Sequence, residues 1–184
     1  EKSETKQFSA VFYKQIKRLK KKYFLLWGGV FVANVAYALV AYFVEPPFGV
    51  RESWVKGLPW FAGVGVATSF FLYNRAMGPD QLERRLQILV SEGLMGKIMS
   101  AEEMTETAQL PSSEQKVIFS LNGLYPSLAL CWGLNEVIGF LGVLNSLVAD
   151  AAFDVSIYYF LLAISLNIAM YPPFHHFLDK QKMV

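Results

Sequence analysis

The sequence predicts an all-α polytopic membrane protein with four transmembrane helices and both termini on the cytoplasmic side. An N-terminal amphipathic helix and a small helical cytoplasmic connection complete it. Three observations carry this prediction. Hydrophobic residues make up 54% of the chain and charged residues 17%, against about 45–50% and about 25% in soluble domains. The charges gather at the N-terminus, in the middle and at the tail, leaving long apolar stretches between them. Lys and Arg are divided very unevenly among the connections. At 184 residues the chain is read as a single membrane domain.

A hydrocarbon core about 30 Å thick needs about 20 apolar residues at about 1.5 Å rise. Phe24 to Val44 supplies 21 with no charge, and Gly57 to Tyr73 supplies 17, extendable through Asn74 to Met77. Leu124 to Val148 supplies 25 with one charge, Glu136, and Val155 to Phe174 supplies 20 with none. The expected spans are therefore 24–44, 57–77, 124–148 and 155–174. Helices satisfy their own backbone hydrogen bonds, which lipid cannot do.

Orientation follows from the basic residues, which are retained on the cytoplasmic side. Fifteen of the 17 lie in the N-terminal segment, the 2–3 connection or the tail, while the 1–2 connection has Arg51 and Lys56 and the 3–4 turn has none. The expected location is the cell inner (plasma) membrane. The first apolar run is too long for a signal-peptide core. The lysines before it are explained by retention and lipid headgroups, so no nucleic-acid partner is expected at a net charge of +2.

Outside the spans, Phe8, Phe12, Ile16, Leu19 and Tyr23 recur at helical spacing, with Lys14, Lys17, Arg18 and Lys21 opposite. Residues 1–23 can lie in the cytoplasmic interface as an amphipathic helix or extend span 1. Residues 78–123 are too long to be structureless. Asp80/Glu83 and Ser100/Glu103 have capping-box spacing, the first ahead of Leu82, Leu86, Leu89 and Gly93. Pro111 breaks the chain, Ser112 with Gln115 restarts it, and Asn122-Gly123 with Pro126 marks the entry to span 3. Trp27, Trp54, Trp60, Tyr158 and Tyr159 read as interfacial anchors.

Glu136, midway along span 3, is the candidate site. A carboxylate at that depth costs at least about 2.5 kcal/mol. No Lys or Arg lies in the apolar stretches to pair with it. It must be protonated, hold a cation, face a wet cavity or meet a partner. Asn135 precedes it, and Asn34 and Asn167 place one amide each in spans 1 and 4. Gly133, Gly139, Gly142 and Ser146 give that helix a small-residue side suited to close helix packing. Three roles stay open: a structural hydrogen bond from Glu136 to Asn34 or Asn167, handling of a proton or sodium ion, and contact with another membrane subunit.

Residues 129–144, ALCWGLNEVIGFLGVL, resemble the second helix of the rotor-ring proteolipid (subunit c) of rotary ATPases: Leu134, Asn135, Glu136 and Gly142 match its Leu, small residue, ion-binding Glu and Gly. Gly63 to Ala67, Asn74-Arg75 and Pro79-Asp80 are similar to that family's glycine-rich first helix and Arg-x-Pro loop. The resemblance implies a cation-binding Glu136. Spans 1 and 4 and the long 2–3 connection have no counterpart there. The whole layout is closer to small four-span bacterial membrane proteins of unassigned function, with an acid in span 3 and a Pro, here Pro172 or Pro173, after span 4.

Cys131 stands alone in an apolar stretch, so neither a disulfide nor a thiol metal site is expected. Adjacent His175 and His176 point in different directions and make a poor metal pair. No acid–base pair or nucleophile constellation stands out. The expectation is a non-catalytic protein without cofactor or metal, partnered by the bilayer and by other membrane subunits or copies of itself. The alternative is an ion-binding or ion-translocating protein using Glu136.

Overall fold

The computed structural model describes residues 8–43, 57–78, 98–148 and 153–172, with 84, 87 and 174 in addition. Among these the structure is helical, with five helices and no strand. They are α1 (Ala10–Phe43), α2 (Leu58–Met77), α3 (Ala101–Ala108), α4 (Ser112–Val148) and α5 (Phe153–Ala169). Two of them, α1 and α4, are long and apolar enough to cross a membrane, and α5 contains a shorter apolar helix over Ser156–Ala169. The helix expected after Asp80, His175 and His176, Trp54, and Pro173 lie outside the described residues.

The chain divides into two compact units. The first comprises Glu1–Phe24, Ala76–Ser127 and Pro172–Val184, the second Leu25–Arg75 and Leu128–Tyr171. Helices α1 and α4 contribute residues to both.

In the first unit, Ser9 starts α1. Its carbonyl accepts from Tyr13 N at 3.2 Å and its hydroxyl from Phe12 N at 3.1 Å, satisfying donors that a helix start leaves free. The same serine donates twice to Glu114 in the first turn of α4: Ser9 Oγ to Oε2 at 2.6 Å and Ser9 N to Oε1 at 3.0 Å. That double bond is what permits a buried carboxylate there. The expected box at α3 forms, with Ser100 N donating to Glu103 Oε2 at 2.9 Å and Glu103 N to Ser100 Oγ at 3.2 Å. After Pro111, Gln115 Nε2 returns to Leu110 O at 2.7 Å and closes the α3–α4 turn.

Of the two forms expected for residues 1–23, the described part is not a separate interfacial helix but the extension, since α1 runs unbroken from Ala10 to Phe43. Its apolar stripe, Phe12, Ile16, Leu19 and Tyr23, is buried in protein. Tyr23 Oη donates to the Leu121 carbonyl, and its ring meets Tyr125 and Phe174 edge-on. Nor does Asn122-Gly123 mark a helix boundary, since α4 is continuous from Ser112 through Pro126 to Val148. Packing of Ile118, Leu121 and Leu124, all at most 1% exposed, outweighs the ladder bond that an interior proline removes.

The polar side of α1 is paired with α3. Lys14 Nζ lies 2.5 Å from Glu106 Oε1, Gln15 Nε2 donates to Oε2 at 2.6 Å, and Arg18 reaches Oε2 at 3.0 Å and Glu102 at 3.3 Å. The Lys14 hydrogen bond, helped by Arg18, holds the Glu106 carboxyl below the usual 4.5. A depressed carboxylate contributes its stability above its unfolded value and loses it as pH falls through its folded value. The α1–α3 contact should therefore be intact at neutral pH and loosen below about pH 4.5. Protection of the α3 amides, relative to their intrinsic exchange rates, should fall there in the wild type, and Glu106→Gln should reduce that pH dependence.

Candidate functional site: a polar seam in the second unit

The second unit carries most of the exposed apolar side chains and sets a line of polar groups inside an otherwise apolar interior. Of the 22 large hydrophobic side chains exposed among the described residues, 20 belong to it. Its interior holds Asn34, Ser69, Asn135, Asn145, Ser146, Ser156 and Asn167. Contacts set the helix directions. Asn34, Tyr37 and Ala41 of α1 meet Gly139, Glu136 and Ser146 of α4, so these helices run parallel. Asn167, Phe160 and Ser156 of α5 meet Asn135, Gly142 and Asn145 in falling order, so α5 is antiparallel to α4. Gly65 and Ser69 of α2 meet Ile138 and Cys131 likewise.

Asn135 sits where these helices converge. Ser69 Oγ donates to Asn135 Oδ1 at 2.9 Å, and Asn135 Nδ2 donates to Asn167 Oδ1 at 3.2 Å. The Ser69 hydroxyl also lies 3.3 Å from the Cys131 carbonyl and 3.4 Å from Met170 Sδ, alternatives for its single proton. Two indoles finish the seam. Trp27 Nε1 donates to Asn167 O at 2.8 Å and Trp132 Nε1 to Met170 O at 3.0 Å. These are carbonyls that the end of α5 leaves without a helical partner. Trp27, Ser69, Asn135 and Asn167 thus tie all four helices of the unit together.

Glu136, one residue along, is only half-buried and accepts from Tyr37 Oη at 3.2 Å. The hydrogen bond expected from Glu136 to Asn34 or Asn167 is replaced by this one. Of the four polar residues singled out from sequence, Asn135 and Asn167 come together, while Glu136 and Asn34 stand elsewhere along α1–α4. Asn34 Nδ2 donates to Val30 O at 3.0 Å within its own helix. Its Oδ1 is buried without a hydrogen-bond partner among the described residues, as is Asn167 Nδ2.

The small residues of α4 serve different neighbours. Asn34 Oδ1 occupies the space a Cβ on Gly139 would need, and a Cβ on Gly142 would come within 2.9 Å of Phe160 and Tyr159. Ser146 Oγ donates to Ala41 O at 3.3 Å, and Gly133 has nothing within 4 Å of a Cβ position. Tyr159, expected as an interfacial anchor, is instead buried with Leu58, Ala62, Ile138 and Ala163. Sequence reasoning passed over Ser69, Tyr37 and Trp132. The signal available for the first two was a hydroxyl inside an uncharged stretch.

The fold and seam define a four-helix, up-down-up-down bundle with a hydrogen-bonded polar interior and an apolar exterior. Among the described residues no three His, Cys, Asp or Glu side chains group as a metal site would require. The chain matches no family model, no curated protein and no solved structure.

Asn135→Ala should cost about 1–3 kcal/mol, because it strands the buried Asn167 Oδ1. Gly139→Ala should cost about 1–3 kcal/mol by driving a methyl into Asn34. Adding Asn34→Ala to Gly139→Ala should recover part of that loss. Unfolding titrations in mixed micelles measure both; additive Asn34 and Gly139 effects would contradict the contact.

Proposed function

We propose that the chain is a four-span, non-catalytic membrane protein that acts as a subunit or scaffold of a larger membrane assembly. The observation that carries this reading is the apolar exterior of the second unit around an interior that holds amides and hydroxyls. Its amides and hydroxyls face inward, while Trp60, Phe61, Val64, Phe70 and Phe71 of α2 and Tyr158, Leu161, Leu162 and Ile168 of α5 face outward, like the exposed side chains of α1 and α4. So much exposed apolar surface is untenable in water and ordinary in lipid. Helices α2 and α5 share a bundle with two helices long enough to span, which supports counting four spans. Within the second unit, the up-down-up-down order leaves Leu25 of α1 and the end of α5 on one side. Fourteen of the 17 Lys and Arg residues fall in the first unit, which supports a cytoplasmic side for it.

The polar groups of the seam join α1, α2, α4 and α5 to one another, which favours a structural part. A proton- or sodium-handling role is the second reading, favoured by a half-buried carboxylate midway along α4; Tyr37 is its hydrogen-bond partner.

Reporter fusions at Val184 and within 80–115 should read cytoplasmic, and those at Gly49 or Ala151 external. A cytoplasmic Ala151 would end the four-span reading. In mild detergent the native protein should migrate well above its own 20.8 kDa plus a micelle. A monomer would contradict a subunit role. Normal ion-dependent activity of the host assembly with a folded Glu136→Gln protein would remove the ion-handling reading.

A further inference from the structure

We infer that the Glu136 face of α4 receives a transmembrane helix of a different protein, one carrying a Lys or Arg at mid-depth. The inference deepens the subunit reading and rests on it. Along α4, Gly133, Glu136, Val137 and Phe140 recur at helical spacing. Val137 and Phe140 are exposed by 53% and 45%. Tyr37 of α1 borders the same strip, its hydroxyl on the carboxylate and its ring edge-on to Phe140 at 6.0 Å. The carboxylate therefore sits at the edge of an apolar outer surface, outside the Ser69–Asn135–Asn167 seam.

A carboxylate can accept about four hydrogen bonds, and Tyr37 supplies the one found among the described residues. Lipid tails supply none, and an uncompensated charge at that depth is costly. A basic side chain offers both donors and opposite charge, strongest where water is excluded. Gly133, with open space where a Cβ would stand, lets a neighbouring backbone come close one turn away from the acid.

A second copy of this chain does not fit the charge. Its apolar stretches contain no Lys or Arg. Arg75 closes α2, six residues and about 9 Å beyond Ser69 along the axis, at the level of the helix end. The occupant is thus a different polypeptide, chosen by charge.

Energy transfer in phosphatidylcholine vesicles tests this directly. The labelled full-length protein is combined with a labelled Leu/Ala transmembrane peptide bearing one central Lys, or with an all-apolar control peptide. Transfer should be high with the Lys peptide and at the random-mixing level with the control. Glu136→Gln should reduce the Lys signal to the control level, and Glu136→Asp, which keeps the charge, should retain it. Protease protection in the same vesicles reports insertion of each variant. Inserted protein that transfers equally to both peptides, or a Gln variant that still selects Lys, overturns the inference alone. Failure of the wild type to insert overturns the membrane reading and the inference with it.

Discussion

Asn135 makes hydrogen bonds to helices on two sides at once, to Ser69 of α2 and to Asn167 of α5. The second unit is organised around those bonds. Its helices are apolar over most of their circumference, so hydrophobicity alone gives no helix a preferred face toward its neighbours. In lipid the contrast between inside and outside is weaker still, because tails are as apolar as leucine. Directional bonds between amides, hydroxyls and indoles then choose which faces meet. The indoles of Trp27 and Trp132 extend that choice to the end of α5, where backbone carbonyls would otherwise stay unpaired.

Close packing fixes what hydrogen bonds leave free. Gly139 and Gly142 admit Asn34 and Phe160 where any larger residue would collide. They place two neighbouring helices on adjoining sides of α4. The first unit is built on a different principle. Its core is a heptad-like apolar stripe on α1 buried with Ile118, Leu121 and Leu124, and its surface is charged and ion-paired through Lys14, Arg18 and Glu106. One chain thus carries two solvation patterns. The switch falls within α1 and within α4.

Much of this was legible from sequence. Apolar stretches of 17 to 25 residues coincide with α2, α5 and the later parts of α1 and α4, because length and apolarity are local properties. The Ser100 capping box and the Pro111 break are equally local. The continuity of α1 through Lys20 to Lys22 was one of two open readings, and that of α4 through Pro126 was not legible. Both depend on tertiary burial of one face. The amides around span 3 could be counted from sequence but not aimed. Adjacent helical residues differ by about 100°, so Asn135 faces the interior while Glu136 turns to its edge. A helix apolar all round gives no signal of which residue has which fate. Charge drew the eye to Glu136, and geometry gave the central place to its neighbour.

The four-span proposal requires the exposed apolar faces of all four helices of the second unit to meet lipid. Spin labels at Val32, Val64, Val137 and Leu162, one per helix, test it by collision with oxygen against a water-soluble nickel chelate. Buried Cys131 contributes little background. All four labels should favour oxygen, at depths that follow the up-down-up-down order. Nickel access at Val64 or Leu162 equal to that of an unfolded chain would place α2 or α5 in water and contradict the account.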